Sequence, residues 1–542
     1  MKFITKHLFV LLVVGLSVLT SLFVLYTPIP SSDTTGFSAV SAAGYIKEFS
    51  LLPHSVFDEE NHETVRLYLK DTLESLVGTE NVSELNYTAN EVGSDYDIKN
   101  LLAVIPGESE NGILLVAHYD SRGHIGRSGE LGGSYGAADD GYGLATLLEI
   151  TRIYAQRTDL KTSIYILMTD GEETGLYGAG MVAKEQSLMD KIGFVVNLEA
   201  RGIKGPAYMF ETSTNNEIVI DFYKNAQLPV TYSIATAVYT VMPNSTDFTE
   251  FLAVDKEGVN FAVLDSLYYY HTPRDNYTNI DLSSIQHYGS QVVPLVEEFT
   301  SSTDYANTHY FEGTQNQIFF TLLPNVFVSY TEGFANVIHI IVFVVLIALL
   351  VLSSISKTIK PIKVLKNLGY IFLSIVVLGV IGVYASKLIA FLGKTTWSLT
   401  YVRMENSELP TLVLMIGAVI GLGWLYKKLV FKKNETKEFL FAASILLSLL
   451  ALLTGFALSG ASFLFLLPAF FGLVTLILLL FYDNVLAKKI WFVLTTAILT
   501  LIFVPLVYTL FLAITVGGLA ALFVIALFYL IVEIPSLFTV CK

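Results

Sequence analysis

Hydrophobic and polar positions divide this chain into two regimes. Leu8 to Tyr26 is a run of about 19 uncharged, mostly apolar residues, near the roughly 20 that a helix needs to cross a bilayer. Lys2 and Lys6 precede it, and it is longer than the apolar segment of a cleaved leader. Ser41-Ala42-Ala43 offers a small-residue site only far beyond the run, so the segment is expected to remain as an anchor. From residue 336 the apolar runs resume and break into about seven further spans, at 336–356, 368–392, 410–426, 438–457, 463–482, 490–511 and 513–534. The last two come from one apolar run between Lys489 and Glu533, too long for a single helix.

Between these regions the periods change. His62 to Leu76, Gly141 to Ala155, Tyr177 to Gln186 and Leu282 to Phe299 have helical apolar spacing. Asn100 to Ile105, Ile113 to Ala117, Ile164 to Met168, Phe194 to Asn197 and Asn260 to Leu264 read as buried strands. Strands rich in Ile, Val and Leu that alternate with helices predict an α/β domain, a central mostly parallel sheet flanked by helices. The expected organisation is an anchor at 1–30, this domain at 31–335, and an all-α polytopic transmembrane domain at 336–542.

Composition agrees with this division. The 542 residues are 53% hydrophobic and 15% charged, with a mean hydropathy of +0.58, too apolar for a purely soluble protein. A net charge of −15, with no basic run carrying interleaved aromatics, argues against nucleic acid as a partner. Cys541 is the only cysteine, so intramolecular disulfides are excluded, which for a domain outside the cytosol is commoner in bacteria. The sequons at Asn81, Asn86, Asn244 and Asn276 matter only in a glycosylating compartment.

Lysines set the expected topology. With the N-terminus cytoplasmic, the inside loops hold Lys357, Lys360, Lys363 and Lys366, then Lys427, Lys428, Lys432, Lys433 and Lys437, then Lys488 and Lys489, and Lys542 also falls inside. The outside loop around 393–409 carries Lys394 and Arg403 beside Glu405 and Glu408. Every short loop then obeys the positive-inside rule, and the polar domain faces away from the cytosol, outside a bacterial cell membrane or in a lumen. Lys387 lies near an outer end where it can snorkel, and no acid–base pair stands at mid-membrane. Frequent Gly and Ser suit close helix packing, and the spans are expected to anchor, oligomerise or shape access to the polar domain.

The polar domain carries a spaced series of metal-type ligands: His118 and Asp120 in VAHYDSR, Asp139 in GAADDGYG, Glu172 and Glu173 in TDGEETG, Glu199 in NLEARG, and His271 in YYYHTP. Each has a plainer use taken singly. A histidine ending a strand is usually a rim residue, Asp139 and Asp140 suit a helix N-terminus, and acids after strands are often just turns. Together, most follow a predicted strand, and in such sheets sites form beyond the C-terminal strand ends. His118 and Asp120 share a face, which suits a ligand and the carboxylate that orients it. The adjacent Glu172 and Glu173 point apart, so one can hold metal while the other handles water. Two histidines among several carboxylates is the donor set of a zinc hydrolase, often with two metals.

These motifs, over roughly residues 40–300, resemble the di-zinc exopeptidase family of bacterial leucyl aminopeptidases, aminopeptidase Y and glutamate carboxypeptidases. The layout is similar to its multi-span branch of endoplasmic reticulum and vacuolar membranes. The resemblance implies two Zn²⁺ ions bridged by Asp139, with Glu173 and His271 completing one site and His118 and Glu199 the other. It further implies Asp120 as the residue orienting His118, Glu172 as general base, Tyr270 as an oxyanion contact, and a cis Asp139–Asp140 peptide. Two departures stand out. Many members have Asp at the place of Glu199, and the stretch between Asp120 and Asp139, with its Gly-rich GRSGELGGSYG, is longer than in compact members, as a loop at the cleft would be.

The function so implied is a membrane-anchored metallopeptidase, with an aminopeptidase ahead of a carboxypeptidase, acting on peptides at a bilayer surface. The zincs would polarise the scissile carbonyl and activate water, and Glu172 would carry the proton to the leaving amine. The competing readings are a catalytically silent receptor or scaffold, which the complete ligand set disfavours, and a transporter-linked sensor, which the missing mid-membrane charge pair disfavours. A single-zinc cyclase is disfavoured because both sites look complete. Arg122, Arg201 and Arg274 near the motifs are expected either to bind a substrate carboxylate or to serve as ion-pair partners.

Overall fold

A computed structural model describes residues 2–123, 133–239, 244–399, 402 and 404–541. Residues 124–132, which include 126–132 of the Gly-rich stretch, lie outside the described residues, as do Arg403 and Lys542 of the charge pattern. The chain divides into two compact units, Leu25–Gln317 and Met1–Val24 with Ile318–Lys542.

The first unit is built on seven strands: β1 (Val82–Tyr87), β2 (Ile98–Ile105), β3 (Ser109–His118), β4 (Thr162–Thr169), β5 (Ile192–Ala200), β6 (Lys204–Thr212) and β7 (Gly258–Asp265). Their order is β1-β2-β4-β3-β5-β7-β6. The middle of the sheet is parallel, through β4/β3, β3/β5 and β5/β7. Both flanks are antiparallel, through β1/β2, β2/β4 and β6/β7, so the sheet is mixed. Every residue of β4 and β5 is buried, which is why these segments read as unbroken apolar runs rather than alternating ones.

One face of the sheet is covered by helices Ala39–Phe49, Gly141–Tyr154 and Leu282–Ser301. On the other face Leu114, Val116, Leu167 and Val195 pack against Ala179, Val182, Phe248 and Phe251 from two short helices, Tyr177–Val182 and Asp247–Leu252. Full burial of a phenylalanine such as Phe251 contributes about 1.5–3 kcal/mol. The predicted strands and long helices lie where expected, with ends displaced by a few residues.

β6 is an addition to the sequence reading. It starts after Arg201–Ile203, a connection too short for a parallel crossover, which takes about a dozen residues. The chain therefore turns back and pairs antiparallel at the sheet edge. Gly205 and Pro206 at its start obscure it in the sequence, and a register irregularity between Lys204 and Ala207 spans them.

The second unit holds eight helices long and apolar enough to cross a membrane: Leu8–Leu25, Glu332–Ile355, Pro361–Leu392, Glu408–Lys433, Thr436–Ala457, Phe463–Phe481, Val485–Ile514 and Val516–Phe538. They fall where hydropathy puts the apolar run at 8–26 and the seven apolar runs after residue 335. The last four are the more buried and form the centre of their bundle. A two-stranded sheet of Gln317–Leu323 and Val326–Thr331, turning through Asn325 at φ +58°, leads into the second span.

Candidate metal centre

The parallel strands end together, and their ends supply the donors. His118 is the last residue of β3, Glu199 lies at the end of β5, and Glu172 and Glu173 open a short helix just past β4. His271 follows β7 by a tight turn, at φ +57°, a left-handed conformation uncommon outside glycine. Asp139 and Asp140 stand at the N-terminus of helix Gly141–Tyr154, joined by a cis peptide, and Asp140 Oδ1 accepts from the Gly143 N–H at 3.1 Å. A Cβ on Gly143 would run into that carboxylate, which accounts for the glycine.

The side chains converge in two trios that share Asp139: His118, Asp139 and Glu199, and Asp139, Glu173 and His271. His118 Nε2 lies 3.5 Å from Asp139 Oδ1 and 3.8 Å from Glu199 Oε2. His271 Nε2 lies 3.1 Å from Asp139 Oδ2 and 2.9 Å from Glu173 Oε1. Each histidine thus faces a different oxygen of one carboxylate.

The donor chemistry passes a test for a cation. His118 Nε2, His271 Nε2, Asp139 Oδ2 and Glu173 Oε1 are buried without a hydrogen-bond partner, although they approach one another within 4 Å. Buried polar atoms are almost always paired, so atoms this close and still unpaired aim at a common point instead of at each other. Tetrahedral zinc with bonds of about 2.0 Å sets its ligand atoms about 3.3 Å apart, and the four separations bracket that value.

Neighbouring groups fix the donors. His118 Nδ1 lies 2.9 Å from the Asp120 main-chain carbonyl, which assigns the proton to Nδ1 and leaves the Nε2 lone pair inward. The Asp120 carboxylate does different work. Its Oδ1 accepts from the Glu172 N–H at 3.0 Å and its Oδ2 from the Glu173 N–H at 3.1 Å, while Oδ1 stays 3.6 Å from His118 Nδ1. Asp120 therefore orients His118 mainly through its backbone and anchors the two glutamates through its side chain. Tyr270 stacks on His271 with ring centroids 3.5 Å apart.

Charge in this pocket is strongly one-sided. Burial, then the charge of Glu199, pushes the half-buried Glu172 carboxyl well above the usual range. Burial likewise raises Glu199, with Asp140 and Asp139 adding to it and His118 opposing. Burial alone would raise Asp139, but the closeness of the His118 and His271 rings holds it below the ordinary range. Of the three arginines, Arg122 is committed to Glu173: Nη1 donates to the Glu173 carbonyl and lies 3.2 Å from Oε2. Arg274 lies over the rings of Tyr268 and Tyr269, at 5.0 and 4.5 Å, and Arg201 is close enough to act electrostatically on Tyr270. A site this acidic favours cations.

Two further carboxylates belong to the site and escaped the sequence reading. Asp275 accepts from the Ala138 N–H at 2.8 Å, the Asp139 N–H at 3.2 Å and the Ser134 hydroxyl at 2.9 Å, and so holds the Asp139 segment from behind. Asp247 accepts from the Thr169 hydroxyl, and burial pushes it up to about 7. The only signal for Asp275 was an acid four residues past His271. A cavity of about 390 Å³ opens beside Glu173 and Arg122, walled by Phe57, Tyr96, Thr174 and Tyr177 among others.

Similarity to known proteins falls on the unit that carries this site. The profile of Peptidase family M28 matches residues 100–296. The chain is 29% identical over 258 residues to the vacuolar membrane protease of Candida dubliniensis, covering 45% of this chain and 26% of that protein. It is 28% identical over 237 residues to the putative endoplasmic reticulum metallopeptidase 1 of Schizosaccharomyces pombe, covering 43% and 27%. The chain thus spans about a quarter of the length of these curated relatives. Among solved structures, an Acidobacteriales bacterium glutaminyl cyclase aligns at a TM-score of 0.40 and 17% identity, over 51% of this chain and 99% of the other. Residues 100–296 are a Peptidase family M28 domain.

Proposed function

We propose that the chain is a membrane-anchored zinc-dependent exopeptidase with two metal positions, and that it acts as an aminopeptidase. The observation that carries this is the pair of trios sharing Asp139, with inward atoms left unpaired. His118, Asp139 and Glu199 would hold one ion, and Asp139, Glu173 and His271 the other. When bound, zinc supplies Lewis-acid polarisation of the scissile carbonyl and activation of water. Glu172, left free of the trios and half-buried beside them, would take the proton from water and return it to the leaving amine. Tyr270, stacked on His271, would contact the developing oxyanion.

Charge supports attack at the N-terminus of the substrate. Arg122 is paired with Glu173 and Arg274 lies on two tyrosines, whereas carboxylates surround the site. An ammonium group is attracted there and a terminal carboxylate repelled. The lysine distribution supports a domain that faces away from the cytosol, and the eight helices long and apolar enough to cross a membrane support an attachment to the bilayer.

The test is hydrolysis of a mixed peptide library by the detergent-purified full chain, read by mass spectrometry, with chelation and zinc add-back, beside a measurement of bound zinc. Chelator-sensitive loss of N-terminal residues by protein holding two zincs per chain is expected. Loss from the C-terminus would overturn the aminopeptidase assignment, and a chain that binds no zinc would overturn the metal assignment.

A further inference from the structure

The helical unit contains an acid that hydropathy passes over. Glu533 lies in the eighth span, yet it is only 5% exposed. Its Oε1 accepts from the Thr496 hydroxyl on the seventh span, and its Oε2 is buried with no partner. One turn back, Tyr529 and Thr500 share a hydrogen bond of 3.0 Å between the same two helices. One turn on, Ser536 lines a cleft of about 10 Å³ with Thr475, Lys488 and Trp491, close to the room one water needs. Residues 529, 533 and 536 share a helix face, as do 488, 492, 496 and 500. Phe492 interrupts the second row, so the polar groups that face one another between the two helices are Thr496 and Thr500 against Tyr529 and Glu533, with Ser536 one turn on, over about 10 Å.

Two ordinary explanations fit poorly. A glutamate near a span end can snorkel to the interface, but this carboxyl points sideways into a neighbouring helix and is buried. An ionised carboxylate in such surroundings needs a cation, and no ion pair to Glu533 exists among the described residues. Tyr529 is the titratable group close to it. At the same end of the bundle Lys488 lines the cleft and lies 3.8 Å from Asp483, Lys363 and Lys366 pair with Glu435, and Glu438 starts the fifth span. A buried carboxyl without a cation keeps its proton rather than its charge.

We propose that Glu533 is a proton-binding site within the membrane bundle, held by Thr496. The experiment treats the full chain in phospholipid vesicles with dicyclohexylcarbodiimide. This membrane-soluble reagent captures protonated carboxyls: the acid O–H adds across one C=N bond, and acyl migration to nitrogen leaves the whole reagent on the residue. Digestion and mass spectrometry then locate the adduct. Labelling of Glu533 at neutral pH is expected, falling about tenfold per pH unit above its titration midpoint. Glu533→Gln keeps an acceptor for Thr496 and should lose this adduct alone. The pH series on the unaltered chain decides even where a variant fails to fold. No adduct on Glu533 at neutral pH, or labelling indifferent to pH, would overturn the proposal.

Discussion

Replacing Asp275 separates a residue that holds the proposed metal ligands from one that merely fills space. Its carboxylate, 1% exposed, takes three donors, from Ala138 N, Asp139 N and Ser134 Oγ, at 2.8, 3.2 and 2.9 Å. In Asp275→Asn one oxygen becomes an NH₂ group. If that group faces Ala138 it opposes an N–H, and if it faces the other side it opposes the N–H of Asp139, since only the serine hydroxyl can rotate to accept. Either way one buried backbone donor is left unmet, at about 1–3 kcal/mol. Asp275→Ala leaves all three unmet, roughly 3–9 kcal/mol if they add, and Ser134→Ala removes one neutral partner, about 0.5–1.5 kcal/mol. Because two of the donors flank Asp139, the disturbance passes to the shared ligand, and zinc affinity should fall about 10–100-fold in the asparagine variant. The assay is zinc retention by the full chain against a graded chelator, with thermal unfolding followed in parallel. Losses should rank Ser134→Ala, then Asp275→Asn, then Asp275→Ala. Wild-type zinc retention in both Asp275 variants would refute the supporting role, and so would destabilisation with no loss of zinc affinity.

Four other outcomes are expected. Glu172→Gln should lower the hydrolysis rate about 10²–10⁴-fold with zinc content unchanged, and loss of zinc would contradict a base that stands outside the trios. Asp139→Ala should empty both metal positions together, so a variant that keeps full zinc would remove Asp139 from the shared place. Asp120→Asn loosens the Glu172–Glu173 turn but leaves the carbonyl that holds His118, so the rate should fall about 10–100-fold while zinc stays bound; zinc loss instead would mean the side chain orients His118. Burial alone would lower the pKa of His62, but the charge of Asp170 and its 2.8 Å hydrogen bond outweigh this and raise it. A raised imidazolium stabilises fully below its ordinary value of 6.5 and loses that contribution as pH climbs through the folded value. The gap in unfolding temperature between the wild type and His62→Gln should therefore be widest at and below pH 6.5 and narrow above it, and a gap that widens with pH would reject the pairing.

Which side chains would gather was legible because metal donors are chemically specific and because parallel strands end on one edge. His118, Glu173, Glu199 and His271 each follow an apolar run, so the strand pattern alone carries them to the same place. The residues that steady them were not legible, for a physical reason. Asp275 and the Asp120 carboxylate act on backbone N–H groups, and every residue but proline has one, so no residue type in the sequence marks the partner. The edge strand β6 was hidden by Gly205 and Pro206, which an edge position tolerates and a central strand does not. Glu533 was hidden differently: at the end of an apolar run a glutamate reads as a boundary with water. Only the packing of the last helices shows that this one faces Thr496 across a buried seam. The same chemical type thus means opposite things in the two units. In the sheet unit, crowded carboxylates stay tolerable if cations neutralise them. In the bundle, a carboxyl with no ion-pair partner among the described residues stays tolerable if a proton neutralises it.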